Sequence, residues 1–110
     1  MGLNLSRGSE LKYYSSDRMA SLMGNGVMTL INSKYKFDDF FSSNELVSYS
    51  NFNDLNDKIN FYKSNDDARK KIAKNGMLKY HKIFSTEKVC EYMLSKIFEF
   101  KINKKEKWMI

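Results

Sequence analysis

The chain contains no proline, a single cysteine, a single histidine, and no apolar run approaching the ~20 residues needed to span a bilayer. Cys90, being alone, cannot close a disulfide within the chain, and its apolar neighbours predict a buried, unreactive thiol. One histidine without clustered carboxylates leaves no motif for a metal site, and no cofactor is implied. His81 falls late in a helical stretch, where it reads as a structural or surface residue. The first seven residues lack the apolar core of a signal peptide, so cytoplasmic residence without a transmembrane segment is the expectation. The missing proline, together with many Lys, Asn and Ile residues, reads as compositional bias.

What is present is an ordinary folded composition with both charge signs and no low-complexity run. Nineteen Lys and Arg stand against thirteen Asp and Glu. Much of that excess lies in Arg69-Lys70-Lys71 and in Lys101, Lys104, Lys105 and Lys107, so nucleic acid is an unlikely partner. The length of 110 residues accommodates one domain or part of one.

Three short apolar segments read as strands: Gly2 to Ser6, the β-branched run Val27 to Ile31, and Glu45 to Ser50. Between and after them lie helical patterns. Ser15 or Ser16 is positioned to cap a helix carrying Met19, Ala20, Leu22 and Met23, which Gly24-Asn25-Gly26 stops. Asn51 to Asp54 opens a helix with Leu55, Ile59 and Tyr62; Asn65 to Asp67 opens another with Ala68, Ile72 and Met77, in which Gly76 allows close approach. Ser85 caps a last helix whose stripe is Val89, Cys90, Met93, Leu94 and Ile97. Phe37 to Phe41 fits one helical turn. The expected fold is α/β, a partial Rossmann-like parallel sheet with flanking helices over residues 1–98, followed by a charged tail over 99–110 that reads as a solvated end. Three parallel strands make a narrow sheet with open edges, so further strands before Gly2, a partner chain, or a minimal unit are all open readings.

Ligands on such sheets sit beyond the carboxyl ends of the strands. The first strand leads into Ser6 to Arg18, where Arg7, Lys12 and Arg18 supply cations, Tyr13 and Tyr14 rings, and Ser15, Ser16 and Asp17 the opening of a helix. Cations, hydroxyls and a helix N-terminus suit a phosphorylated ligand. The same residues also admit a purely structural account: Ser16 as a cap, Arg18 paired with Asp17 or Glu10, and the tyrosines as filler between helix and sheet.

The segment Ser15-Ser16-Asp17-Arg18-Met19-Ala20-Ser21-Leu22-Met23-Gly24-Asn25-Gly26-Val27-Met28-Thr29 resembles the Arg-to-Gly segment in C-terminal domains of group 1 glycosyltransferases, especially the branch named after a spore maturation protein. Asp54 to Tyr62, Ala68 to Gly76 and Tyr80 to Ser85 resemble that branch's closing helices, in the same order. The resemblance implies the C-terminal portion of a GT-B-type domain that binds a nucleotide-diphosphate sugar. It also implies an N-terminal domain, or a separately encoded partner, that completes the site for a glycosyl acceptor. By resemblance Arg18 lies at the diphosphate or sugar end of the donor pocket, which makes it the first candidate for the catalytic cation; the loop's own chemistry adds Arg7, Lys12, Tyr14, Ser15, Ser16 and Asp17 as candidate donor-binding residues. The pattern departs at Ser21, where many relatives carry a glutamate three residues after the arginine.

Overall fold

The computed structural model describes residues 1–5 and 11–109. Three strands, β1 (Gly2–Asn4), β2 (Thr29–Asn32) and β3 (Val47–Tyr49), form a parallel sheet in the order β1-β2-β3. Leu3 lies opposite Leu30, and Leu30 opposite Val47. Four α-helices accompany them: α1 (Asp17–Gly24), α2 (Phe52–Ser64), α3 (Asp66–Phe84) and α4 (Thr86–Phe98). The fold is therefore α/β, a partial Rossmann-like sheet with flanking helices.

Strand alternation sorts the apolar residues onto two faces. Ile31 packs with Met19 and Met23 of α1 and with Phe37, Phe41 and Ile83, while the adjacent Leu30 packs with Val47, Tyr49, Leu55 of α2 and Ile72. Leu30 and Ile31 are both buried, each stabilising the fold by about 1.5–3 kcal/mol relative to exposure. A central parallel strand covered on both faces is apolar throughout, as the Val27 to Ile31 run anticipates.

All three strands are shorter than expected from their apolar runs. The amide of Val27 donates to Leu22 O at 2.9 Å, which uses that residue to close the turn after α1 and delays β2 to Thr29. Glu45 and Leu46 both donate to Ser42 O, so β3 begins only at Val47. β1 ends at Asn4, before Leu5, and the expected extension to Ser6 lies outside the described residues. The helical turn expected at Phe37 to Phe41 is a 3₁₀ turn over Phe37–Asp39, preceded by another over Ser33–Tyr35.

The long helix α3 links both faces. Ile72 near its start joins the α2 side of the core and Ile83 near its end joins the α1 side. At the crossing sits Gly76, where any Cβ would collide with the carbonyl oxygen of Glu45, so the close approach requires glycine. His81 Nε2 donates to Gly24 O at 2.9 Å, which ties α3 to the far end of α1 rather than to its own last carbonyls. Gly26 turns the chain there with φ +72°. Residues 24, 26 and 45 all precede their strands, so the stretch of α3 from Gly76 to His81 passes along the amino-terminal edge of the sheet.

Two expectations fail at the chain's end. Cys90 is exposed, not buried, and so are Met93, Leu94, Ile97 and Phe98, the last two at 66% and 70%. The reason is that α4 buries its opposite side: Tyr92 meets Trp108 ring to ring at 5.4 Å, and Ser95 is buried with its hydroxyl donating to Tyr92 O. The residues after Phe98 are a solvated end only in part: 99–101, 103–105 and 107 are exposed, whereas Trp108 is half-buried and Met109 is buried. Glu99, in the left-handed conformation, reverses the chain; Lys88 Nζ pairs with Glu106 Oε1 at 2.6 Å, and Trp108 Nε1 donates to Ile83 O at 2.7 Å. That carbonyl lies in the last turn of α3, where no helical amide remains to satisfy it. No helix among the described residues is long and apolar enough to cross a membrane.

Candidate functional site

The carboxyl ends of the three strands differ in how their polar groups are used. At the end of β2, Asn32 Oδ1 accepts from the Lys34 amide at 3.0 Å and starts the first 3₁₀ turn. After β3, the Ser50 amide donates to Asp54 Oδ2 at 2.9 Å, and Asn51 Oδ1 caps α2 by accepting from the Asp54 amide. Asp54 also holds Lys58 at 3.1 Å, and these bonds, the Ser50 amide first, lower the carboxyl pKa from its ordinary value. Both ends are spent on turning the chain.

The end of β1 is different. Asn4 is 1% exposed; its Oδ1 accepts from Ser16 Oγ at 2.9 Å, and its buried Nδ2 has no partner among the described residues. Leaving a donor in that condition costs about 1–3 kcal/mol. The contact also turns Ser16 away from the usual role of an N-cap: Ser16 has the extended backbone of one, but its hydroxyl makes no capping bond, contrary to expectation. The first bond of the helix runs from the Met19 amide to Ser16 O at 3.0 Å. α1 thus opens with amides that its own turns cannot satisfy and with the positive end of its dipole.

Arg18 stands one turn in. Its Nη1 donates to Leu5 O at 2.9 Å, on the carbonyl directly after β1, and the guanidinium is exposed. A guanidinium carries five N–H donors in a planar fork, so this bond fixes its place without exhausting it. The geometry brings Asn4, Ser16 and Arg18 to the same strand end.

The other expected site residues are distributed around this cluster. Asp17 is exposed in the first turn of α1, where a carboxylate favours the helix but opposes an anion. Ser15 Oγ lies 3.8 Å from Met19 Sδ. Tyr14 is exposed, its amide bonded to Leu11 O at 3.1 Å. Lys12 Nζ lies 4.5 Å from the centroid of the Tyr13 ring, and its hydrogen bond with Tyr13 raises the ammonium pKa. Arg7 lies outside the described residues.

Tyr13 itself is held firmly. Its amide donates to Tyr35 O at 2.9 Å, its hydroxyl to Asp39 Oδ2 at 2.6 Å, and its ring meets Phe40 at 4.8 Å. Its φ of 62° is left-handed, which costs a non-glycine residue about 1–2 kcal/mol and persists because those contacts require it. Sequence reasoning missed Asn4, whose only signal was a polar residue at the end of an apolar strand. It also missed Phe40 and Trp108, which surround Tyr13's side of the loop. Among the described residues no group of three His, Cys, Asp or Glu could hold a metal ion.

An open parallel α/β sheet whose carboxyl edge carries an uncapped helix start, a buried amide and a guanidinium belongs to the class of folds that take ligands at strand ends. Residues 1–95 match the family model described as glycosyl transferase-like, and the chain belongs to that family. Neither the curated proteins nor the solved structures give a match.

Proposed function

We propose that the chain is the donor-binding portion of a GT-B-type glycosyltransferase of the spore maturation protein-like branch. In this reading it holds a nucleotide-diphosphate sugar at the end of β1, while an N-terminal domain or separate partner supplies the acceptor site. The observation that carries the reading is the cluster of Asn4, Ser16 and Arg18 at a strand end where, among the described residues, a buried amide donor is left without a partner, in a chain of this family.

Transfer of the sugar leaves a nucleoside diphosphate, so the site must meet phosphate charge that grows as the glycosidic bond breaks. Arg18 and the opening amides of α1 meet that charge, and they accelerate transfer only insofar as they bind it more strongly in the transition state than in the substrate. Asn4 Nδ2 offers a neutral donor to a phosphate or sugar oxygen. Asp17 repels phosphate and suits sugar hydroxyls. Ser15, Tyr14 and Lys12 are the further donor contacts in this reading, and Arg7, outside the described residues, is carried with them on its sequence position alone.

Ser21 favours a second reading, a noncatalytic scaffold or interaction module descended from the same fold, because the glutamate usual three residues after the arginine is replaced. Calorimetric titration with nucleotide sugars of different bases separates the two. Binding of one nucleotide class, weakened about 10- to 100-fold by Arg18→Gln as expected for a lost charge-assisted bond, supports donor binding. Turnover with the completing domain present supports catalysis. Absence of binding to every donor, with that domain present, refutes both donor binding and transfer.

A further inference from the structure

A cavity of about 310 Å³ opens beside Ser15, walled by the rings of Tyr13, Phe37, Phe40, Phe84 and Trp108. Ser15 and Lys107 are its polar members. The rings stand at mixed angles, Phe84 nearly parallel to Trp108 at 5.4 Å and Phe40 perpendicular to Phe84 at 6.1 Å, so they form a cup rather than a stack. Three of these side chains are anchored by the rest of the structure. Trp108 hangs from Ile83 O, Tyr13 from Asp39, and Phe37 is fully packed into the core. Tyr13 remains 38% exposed and Phe40, Phe84 and Trp108 are half-buried, so aromatic surface is left on the cavity side.

We infer that this cup binds a planar aromatic ring. Its size is that of the smaller ligand pockets, which are mostly apolar with a few placed polar groups. Polyhydroxylated rings fit it poorly, because the Tyr13 hydroxyl is already committed to Asp39 and most buried sugar hydroxyls would lack partners. A planar ring needs only π-faces to stack on and one or two edge contacts, which Ser15 and Lys107 supply. The orientation rests on the donor-binding reading above: Ser15 directly precedes Ser16, so a ring in the cup lies next to the anion-binding start of α1. Two sources share this chemistry, the base of the donor and an aromatic ring of the acceptor. Lys107 and Trp108 lie beyond the residues that match the family, so the cup is assembled in part from this chain's own tail.

Trp108 is the sole tryptophan, so at constant pH its emission reads out a ligand entering the cup without interference from another indole. The full chain is titrated with uridine, adenosine and guanosine diphosphates, with inorganic pyrophosphate, and with phenol. A saturable change of Trp108 emission with a nucleoside diphosphate, competed by phenol and absent with pyrophosphate, assigns the cup to the donor base. Emission change with phenol that adds to bound nucleotide assigns it to an aromatic acceptor. In either case Phe40→Ala weakens the ring-bearing ligand about tenfold or more and leaves pyrophosphate binding as it was. Tyr13→Leu, at the exposed wall, gives the same result where Phe40→Ala does not fold. Failure of every aromatic ligand to perturb Trp108, or affinities unaltered in folded variants, overturns the inference. Phenol binding without any nucleotide or pyrophosphate binding leaves the cup standing and removes the donor reading instead.

Discussion

Replacing Asn4 by leucine should make the unliganded chain more stable and the liganded chain harder to form. Leucine has a similar branched shape and carries no polar atoms. The substitution removes the unpaired Nδ2, a burial cost of about 1–3 kcal/mol. It also removes the bond from Ser16 Oγ, a loss of about 1 kcal/mol. Ser16 already has the extended backbone of an N-cap, and its freed hydroxyl can accept from an opening amide of α1, which restores about 1 kcal/mol. The balance is a gain of about 1–3 kcal/mol, and each kcal/mol raises the melting temperature of a domain of about this size by roughly 4–8 °C. Thermal melts with and without the bound nucleotide provide the assay: the variant melts higher alone, and the ligand-induced increase shrinks. A variant that melts lower alone, with undiminished ligand stabilisation, would refute the idea that Asn4 is held unsatisfied for a ligand.

Other outcomes follow from the packing and charge. Gly76→Ala gains helix propensity of about 1 kcal/mol but drives a methyl group into Glu45 O; the net loss of about 1–2 kcal/mol is measurable as a lowered urea midpoint. The hydrogen bond from Lys88, followed by its charge, lowers the Glu106 carboxyl pKa from its ordinary value. The pair therefore contributes stability above the unfolded carboxylate pKa and loses it as pH falls through the lower, folded one. Acidification through the carboxylate range should loosen the tail, seen as a red shift of Trp108 emission, and Glu106→Gln should abolish that pH dependence.

The fold was largely legible because its strongest signals are local. A β-branched run between two glycines and a helix, and apolar spacings of three and four after Asn51, each specify one element regardless of the rest. Element ends were less legible because they depend on which carbonyl captures an amide first: Leu22 takes Val27, and Ser42 takes Glu45 and Leu46. The site was half legible. Arg18 and Ser16 were candidates from their position after a strand, but the partner of Asn4 lies 12 positions away in sequence. Trp108 was hidden for a different reason, since four lysines precede it in sequence after Phe98 and one ring outweighs that solubility only when an unsatisfied carbonyl awaits it on α3. On α4 the apolar spacing marked a face correctly but assigned it to the interior, because periodicity says which residues lie together and not which side meets the core.

The grip of α3 on the distal end of α1 has a bearing on affinity. His81 clasps Gly24, and Met77 lies against the turn at Gly26, so the short helix is braced from behind before any ligand arrives. A braced helix forfeits little freedom when its front is occupied, and more of each new contact is retained as net binding strength. In the donor-binding reading, severing that rear clasp, far from the proposed anion site, should therefore loosen ligand capture while leaving the proposed contacting groups in place.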